Sequence, residues 1–82
     1  MITEHANTRV ALRLDGGRHL TPAELRVVKY IAIGLERKEI ALATGLKIRS
    51  VDSHRENALR RLQLRNNVDL AKWAIMAGLV SL

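Results

Sequence analysis

Residues 38–54 read KEIALATGLKIRSVDSH, and the spacing of small and apolar residues in this stretch decides the fold. Ala41 has a side chain small enough for two helices to approach closely at that point. Gly45, four residues later, permits the positive φ that a tight chain reversal requires. Val51 is then expected on the inner face of the next helix. This pattern is typical of a helix-turn-helix, a motif whose second helix fits the major groove of DNA.

Signals on both sides of this stretch predict an all-α fold of four helices, preceded by an irregular arm over residues 1–19. The first helix begins at Thr21, whose side chain forms a capping box with Glu24, and ends at Gly34. The other predicted helices cover residues 36–43, 47–63 and 68–77. Residues 20–82 are therefore predicted to form a single helix-turn-helix domain.

Apolar residues at helical spacing predict the core. In chain order they are Leu25, Val28, Ile31, Ala32, Ile40, Ala41, Val51, Ala58, Leu62, Leu70, Ala71, Ala74, Ile75 and Gly78. A second set on the fourth helix is expected on the opposite face as a dimer interface: Asp69, Lys72, Trp73, Met76 and Val80. A lone tryptophan on an outward face is typical of a partner surface. The alternative is that Trp73 covers the edge of a small core.

Composition restricts the possible functions. The chain has 82 residues, a net charge of +6 and no cysteine, so disulfides and thiolate metal sites are excluded. Its length allows one modest core and no deep catalytic cleft. No apolar run reaches the roughly 18–20 residues that a membrane span needs. Residues 47–65 hold six basic and two acidic residues, and this concentration of positive charge suits a polyanionic partner.

One face of the third helix is expected to contact base edges through Arg49, Asp52, Ser53 and Glu56. Arg49 is the best candidate, because a guanidinium binds O6 and N7 of guanine together, for about 1–3 kcal/mol of discrimination. Asp52 and Glu56 have three readings. They accept hydrogen bonds from cytosine N4, or they orient Arg49 and Arg60 through ion pairs within the helix, or they form ordinary surface ion pairs worth little.

Flanking residues are expected to contact phosphates, which fixes the register of a complex and supplies most of its affinity. They are Lys38, Lys47, His54, Arg55, Asn57, Arg60 and Arg61. For His54 the alternative is a bridge between core and surface. The three histidines lack the spacing of metal ligands, so we expect neither a metal nor a cofactor. No nucleophile, base and orienting group share a face, and an enzyme is not expected.

Residues 20–80 resemble the LuxR/FixJ-type (GerE-like) DNA-binding domain. The matching residues are Leu20, Thr21, Glu24, Ala32, Gly34, Lys38, Glu39, Ile40, Ala41, Ser50, Val51, His54, Asn57, Arg61, Leu62, Asn66, Ala74, Ile75, Gly78 and Leu79. The resemblance implies four helices, DNA recognition by the third and dimerisation through the fourth. It also implies transcriptional control in the bacterial cytoplasm, at the nucleoid.

The chain departs from this family pattern at four positions. Asp52 stands where the family usually has a lysine that approaches bases or phosphates. Lys47 replaces a capping serine, Arg37 an asparagine and Ala23 an arginine. These departures leave the fold intact and alter the expected target sequence. The family also joins this domain to a receiver or ligand-binding domain, for which the preceding residues are too few, so we expect a standalone regulator or a fragment.

The sequence therefore predicts a sequence-specific transcription regulator that binds double-stranded DNA as a homodimer, with its third helix in the major groove. The alternative is a protein-interaction module of the same fold that binds another regulator or RNA polymerase. Asp52 and Glu56 favour that alternative, because carboxylates repel phosphates.

Overall fold

The computed structural model describes residues 20–81, and the regular structure in this part of the chain is entirely helical. It consists of α1 (Pro22–Ala32), α2 (Arg37–Thr44), α3 (Ile48–Leu62) and α4 (Asn67–Met76). Each predicted helix is present, with ends no more than two residues from the expected positions, so the all-α prediction is confirmed. The predicted arm over residues 1–19 lies outside the described residues. None of the described helices is long and apolar enough to cross a membrane.

The first helix, α1, begins at the capping box that the sequence predicts. The Thr21 hydroxyl oxygen accepts a hydrogen bond from the Glu24 N–H (3.1 Å), and Glu24 Oε1 accepts one from the Thr21 N–H (2.9 Å). The Glu24 side chain is only 3% exposed, so its charge requires a partner. Arg61 supplies one, with its Nε 3.3 Å from Glu24 Oε1. This ion pair joins the start of α1 to the last turn of α3.

Two groups of buried side chains lie on different sides of α1. One group joins α1 to α3 and α4, and it contains Leu20, Val28, Ala58, Leu59, Leu62, Leu70 and Ala74. The other joins α1 to α2 and α3, and we call it the helix-turn-helix cluster: Val27, Ile40 and Val51, each at most 1% exposed. The neighbouring residues Val27 and Val28 thus serve different groups, and α1 packs against all three other helices.

Most of the predicted core residues are confirmed as buried or half-buried. Val28, Ile40, Val51, Ala58, Leu62, Leu70 and Ala74 are buried, and Leu25, Ile31, Ala32, Ala41, Ala71 and Ile75 are half-buried. The prediction is wrong for Gly78, which is exposed beyond the end of α4 at a φ of +80°, whereas Ala77 is buried. Val27 and Leu59 are also buried, because they lie beside the predicted stripes on helices that are covered on more than one side.

The turn between α2 and α3 has the conformation that its sequence predicts. Gly45 has a φ of +75° and a ψ of +8°, in the left-handed region, and its N–H donates to the Ala41 carbonyl at 2.9 Å. The Thr44 hydroxyl donates to the Ile40 carbonyl (2.7 Å), and its oxygen accepts from the Leu46 N–H (3.2 Å). These bonds close α2 and lead the chain into α3.

We predict that Gly45→Ala destabilises the domain by about 1–2 kcal/mol, because the left-handed region costs a residue with a Cβ that amount. Among residues 20–81, no atom beyond the adjoining residues lies within 4 Å of an added Cβ, so backbone strain alone accounts for the loss. Gly45→Asn is the matched control and should lose less, since asparagine tolerates a positive φ better. Urea unfolding followed by circular dichroism measures both variants. Equal stability of Gly45→Ala and the wild type would contradict this role of the turn.

We also expect Arg61→Ala to lower the free energy of unfolding by about 1.5–3 kcal/mol, because it leaves the Glu24 carboxylate buried without its cation. The neighbouring Arg60 is exposed and forms no ion pair within residues 20–81, which makes Arg60→Ala the matched control. That control should stay within about 0.5 kcal/mol of the wild type. Urea unfolding midpoints compare the two variants. A similar loss in both would show that the pair with Glu24 is not what stabilises the fold.

Candidate nucleic-acid interface

The third helix, α3, turns one face to the core and the opposite face to solvent. Val51, Ala58 and Leu62 on the inner face are buried. The outer face carries the side chains predicted to contact bases: Arg49, Ser53 and Glu56 are exposed, as is Arg60, and Asp52 is half-buried. The structure thus brings these five side chains to one side of α3, as their spacing predicts.

The amino-terminal ends of α2 and α3 carry positive charge. Lys47 is the N-cap residue of α3, its side chain makes no hydrogen bond to the helix, and the first turn contains no acidic residue. The N–H groups and the dipole at such a helix end favour an anion. Lys38 is exposed in the first turn of α2 and adds a second cation. Both lysines are predicted phosphate contacts, and both reach solvent.

Asp52 forms a two-point ion pair with Arg37, the first residue of α2. Arg37 Nε donates to Asp52 Oδ1 at 3.1 Å, and Nη2 donates to Oδ2 at 2.6 Å. The predicted pairing of Asp52 with Arg49 is therefore wrong. A guanidinium facing a carboxylate edge-on makes two parallel bonds, which are stronger than a single contact along a helix. Sequence reasoning missed Arg37, although the opposite charges at two departures from the family pattern were an available signal.

Glu56 also has a different partner from the one expected, and its predicted pairing with Arg60 is wrong. Arg55 Nη2 donates to Glu56 Oε2 at 2.9 Å, and Arg55 Nη1 donates to Asn67 Oδ1 at 3.4 Å. Arg55 is half-buried and reaches both acceptors, one of them on the first residue of α4. Arg60 stays exposed, with no ion pair in the described part of the chain. Arg55 is thus engaged by the protein, whereas Arg60 is available to a ligand.

A groove of about 750 Å³ lies beside α3, between the end of α1 and the starts of α2 and α4. Its apolar lining residues are Ile31, Leu35, Ile40 and Val51, and its polar ones are Glu36, Arg37, Asp52, Arg55, Glu56 and Asn67. The contacts of Arg37 with Asp52 and of Arg55 with Asn67 therefore belong to the polar side of the groove. They hold the edge of α3 to both α2 and α4.

The remaining predicted phosphate contacts lie at the edge of this surface. Arg61 is exposed, but its Nε contacts the buried Glu24, so its first role is to stabilise the fold. Asn57 and His54 are half-buried, and His54 Nδ1 is enclosed without a hydrogen-bond partner among residues 20–81. This placement favours the reading of His54 as a bridge between core and surface. In the described part of the chain, no three His, Cys, Asp or Glu side chains gather as a metal site would require.

Two of the residues predicted to form a dimer interface pack on the core instead. Trp73 and Val80 are half-buried against the group of side chains that joins α1, α3 and α4, so their predicted outward placement is wrong. Trp73 lies one turn from the buried Leu70 and extends the same apolar surface. Trp73 therefore covers the edge of the core, which was the alternative reading of its sequence position.

The outward face of α4 carries Lys72 and Met76, as predicted, and also Val68. Met76 is 71% exposed and Val68 is 63% exposed, with the exposed Lys72 midway between them. The spacing of four residues places all three on one side of the helix, and we call them the outer α4 stripe. Asp69, also predicted for this face, is half-buried beside the start of α4, where its N–H donates to Asn66 Oδ1 at 2.9 Å.

Comparison with known proteins shows sequence similarity over the segment that contains the helix-turn-helix. The sequence pattern of the bacterial regulatory proteins of the luxR family (GerE) matches residues 18–74. The transcriptional regulatory protein UhpA of Escherichia coli K12 is 38% identical over 65 residues, which are 77% of this chain and 33% of UhpA. UhpA of Salmonella typhimurium LT2 is 41% identical over 64 residues, or 76% of this chain and 33% of that protein.

A third relative is the uncharacterized response regulatory protein YgeK of Escherichia coli K12, which is 28% identical over 74 residues, 90% of this chain and 50% of YgeK. The chain thus spans about a third of the length of the UhpA proteins and half that of YgeK. The family match covers the capping box, the left-handed turn and the whole of α3. With the four helices arranged as described, it follows that the chain belongs to the luxR family of bacterial regulatory proteins, whose helix-turn-helix domains bind DNA.

Proposed function

We propose that this chain is a sequence-specific, DNA-binding transcription regulator of the bacterial cytoplasm, which inserts α3 into the major groove as part of a homodimer. The observation that carries the proposal is the outer face of α3, where Arg49 and Arg60 are exposed and form no ion pair within residues 20–81. Guanidinium groups of this kind bind phosphates and guanine edges. Membership of a family with DNA-binding domains supports the same conclusion.

The dimensions of α3 support insertion into a groove. Its 15 residues span about 22 Å at about 1.5 Å each. A helix with its side chains is about 10–12 Å wide, and the major groove of B-form DNA is about 12 Å wide. The helix-turn-helix cluster packs the inner face of α3 against the other helices, so the outer face is the one accessible to DNA.

We assign Arg49 as the reader of a guanine, because it is exposed in the first turn of α3. Asp52 and Glu56 are both bound to arginines, and each would have to give up an ion pair before reading a cytosine. They rank below Arg49 and Ser53 as base contacts for that reason. The proposed phosphate contacts are the exposed cations around this face: Lys38, Lys47 and Arg60.

The alternative function, a module that binds another regulator or RNA polymerase, rests on the two carboxylates of α3. Arg37 lies against Asp52 and Arg55 lies against Glu56, so positive charge offsets both carboxylates where they stand. Their repulsion of phosphates is reduced accordingly. Asp52 and Glu56 therefore no longer favour a protein partner over DNA.

For the homodimer we propose contact through the outer α4 stripe. Val68 and Met76 are two of the large apolar side chains that the structure leaves most exposed, and both lie on this one face. Burial of such a stripe against its own two-fold copy removes apolar surface from water on both chains. A two-fold axis also supplies the symmetry that paired DNA half-sites require.

Selection of bound duplexes from a randomised DNA library tests the proposed function. We expect an enriched motif with two-fold symmetry and half-sites about one helical turn apart. On the selected duplex, Arg49→Ala should relax the preference at one base pair by about 1–3 kcal/mol. Lys38→Ala is the comparison, and it should weaken binding to all sequences alike. A library without any enriched motif, or equal and small effects of both substitutions, would contradict sequence reading by α3.

The dimer is tested separately by sedimentation of the protein on the selected duplex. We expect two chains per duplex for the wild type, and one chain at the same concentration for Met76→Lys, because a buried charge disrupts an apolar contact. Leu42→Lys is the matched control, since Leu42 is 86% exposed on α2, away from the outer α4 stripe. Two chains per duplex for Met76→Lys would rule out this interface.

A further inference from the structure

The ion pair of Arg37 with Asp52 accounts for a carboxylate on the outer face of α3. Both carboxylate oxygens of Asp52 accept bonds from one guanidinium, at 3.1 and 2.6 Å. Arg37 has five N–H donors, and among residues 20–81 these two bonds leave three of them unused. Its side chain is 60% exposed, so a ligand in solution can reach Arg37 while it holds Asp52.

The position of the pair relates it to the proposed DNA surface. Arg37 precedes Lys38 at the start of α2, and Asp52 precedes Ser53 on α3. In a helix-turn-helix the first helix crosses the DNA backbone while the second lies in the groove. A guanidinium anchored between the start of α2 and the middle of α3 therefore stands where a phosphate passes in such a complex.

We propose that Arg37 and Asp52 act as one unit in DNA binding, in which Asp52 is a positioning residue that holds the Arg37 guanidinium toward a backbone phosphate. This inference rests on the proposed function. Asp52 then reads no base, because both its oxygens stay bound to Arg37. The arginine fixed in this way loses less side-chain freedom on meeting a phosphate than a mobile one.

The unit also protects the complex from the charge of Asp52. Two like charges 4 Å apart repel by about 1 kcal/mol in bulk water, and by more near a protein surface. Removal of Arg37 therefore has two effects, since it deletes a phosphate contact and leaves a bare carboxylate beside the DNA. Removal of both side chains has only the first effect. The double variant should consequently bind DNA better than Arg37→Ala. If Asp52 did not repel the DNA, its removal would not improve binding.

The test measures the dissociation constants of Arg37→Ala and of Arg37→Ala/Asp52→Ala by fluorescence anisotropy, on the selected duplex and on an unrelated one. Arg37→Ala should weaken both complexes by at least about tenfold, the loss of one charge-assisted hydrogen bond. The double variant should recover about threefold or more. The slope of log affinity against log salt should fall by about 1 in Arg37→Ala. Binding of Arg37→Ala within twofold of the wild type, or no recovery in the double variant, would overturn the inference.

Two controls separate this inference from the proposed function and from a purely structural role. Lys38→Ala should weaken both complexes without involving Asp52, so its effect should be the same in the presence of Asp52→Ala. Arg37→Ala and the double variant should both unfold within about 4 °C of the wild type, because the ion pair that they remove lies at the surface. A wild type that binds neither duplex overturns the proposed function as well. A wild type that binds while Arg37→Ala binds equally well overturns this inference alone.

Discussion

The position of α3 depends on the contact among three side chains from three helices: Val27, Ile40 and Val51. Each is at most 1% exposed, and full burial of such a side chain contributes about 1.5–3 kcal/mol. The cluster fixes α2 against α3 from the inside, while Gly45 allows the chain to turn between them within three residues. Because the inner face of α3 is buried in this contact, its outer face is left to solvent, and each proposed DNA contact of α3 depends on that division.

Arginine pairing divides the basic residues of the surface into two classes. Arg37, Arg55 and Arg61 each contact a carboxylate. The contact of Arg37 joins α2 to α3, that of Arg61 joins α3 to the start of α1, and that of Arg55 lies within α3. The exposed Arg49 and Arg60 have no such contact within residues 20–81. A net charge of +6 therefore overstates the charge that is freely available to a ligand, since part of it offsets carboxylates inside the protein. The proposed DNA contacts come from the second class and the lysines, and from Arg37, whose pair with Asp52 leaves part of its guanidinium exposed.

The sequence predicts well those features that depend on neighbours along the chain. The Thr21 capping box, the left-handed Gly45 and the burial of Val51 follow from local spacing, and all three are confirmed. The partner of Asp52 lies 15 residues away on another helix, so spacing within α3 pointed to Arg49 instead. Val27 was missed because one apolar stripe was assigned to a helix that packs on two sides. Trp73 was predicted to face outward for a related reason. The width of the buried face of α4 depends on the helices packed against it, which the spacing within α4 does not reveal.

Recognition of DNA by α3 is tested most directly by a titration of the isotopically labelled protein with duplex DNA, followed through its backbone amide resonances. We expect the largest shifts on the first turn of α2 and on the outer positions of α3, among them Arg49, Ser53 and Arg60. Amides of Val27, Ile40 and Val51 should move little, because the helix-turn-helix cluster stays intact in the complex. Shifts concentrated on α1 or α4, with α3 unaffected, would contradict recognition of DNA by α3.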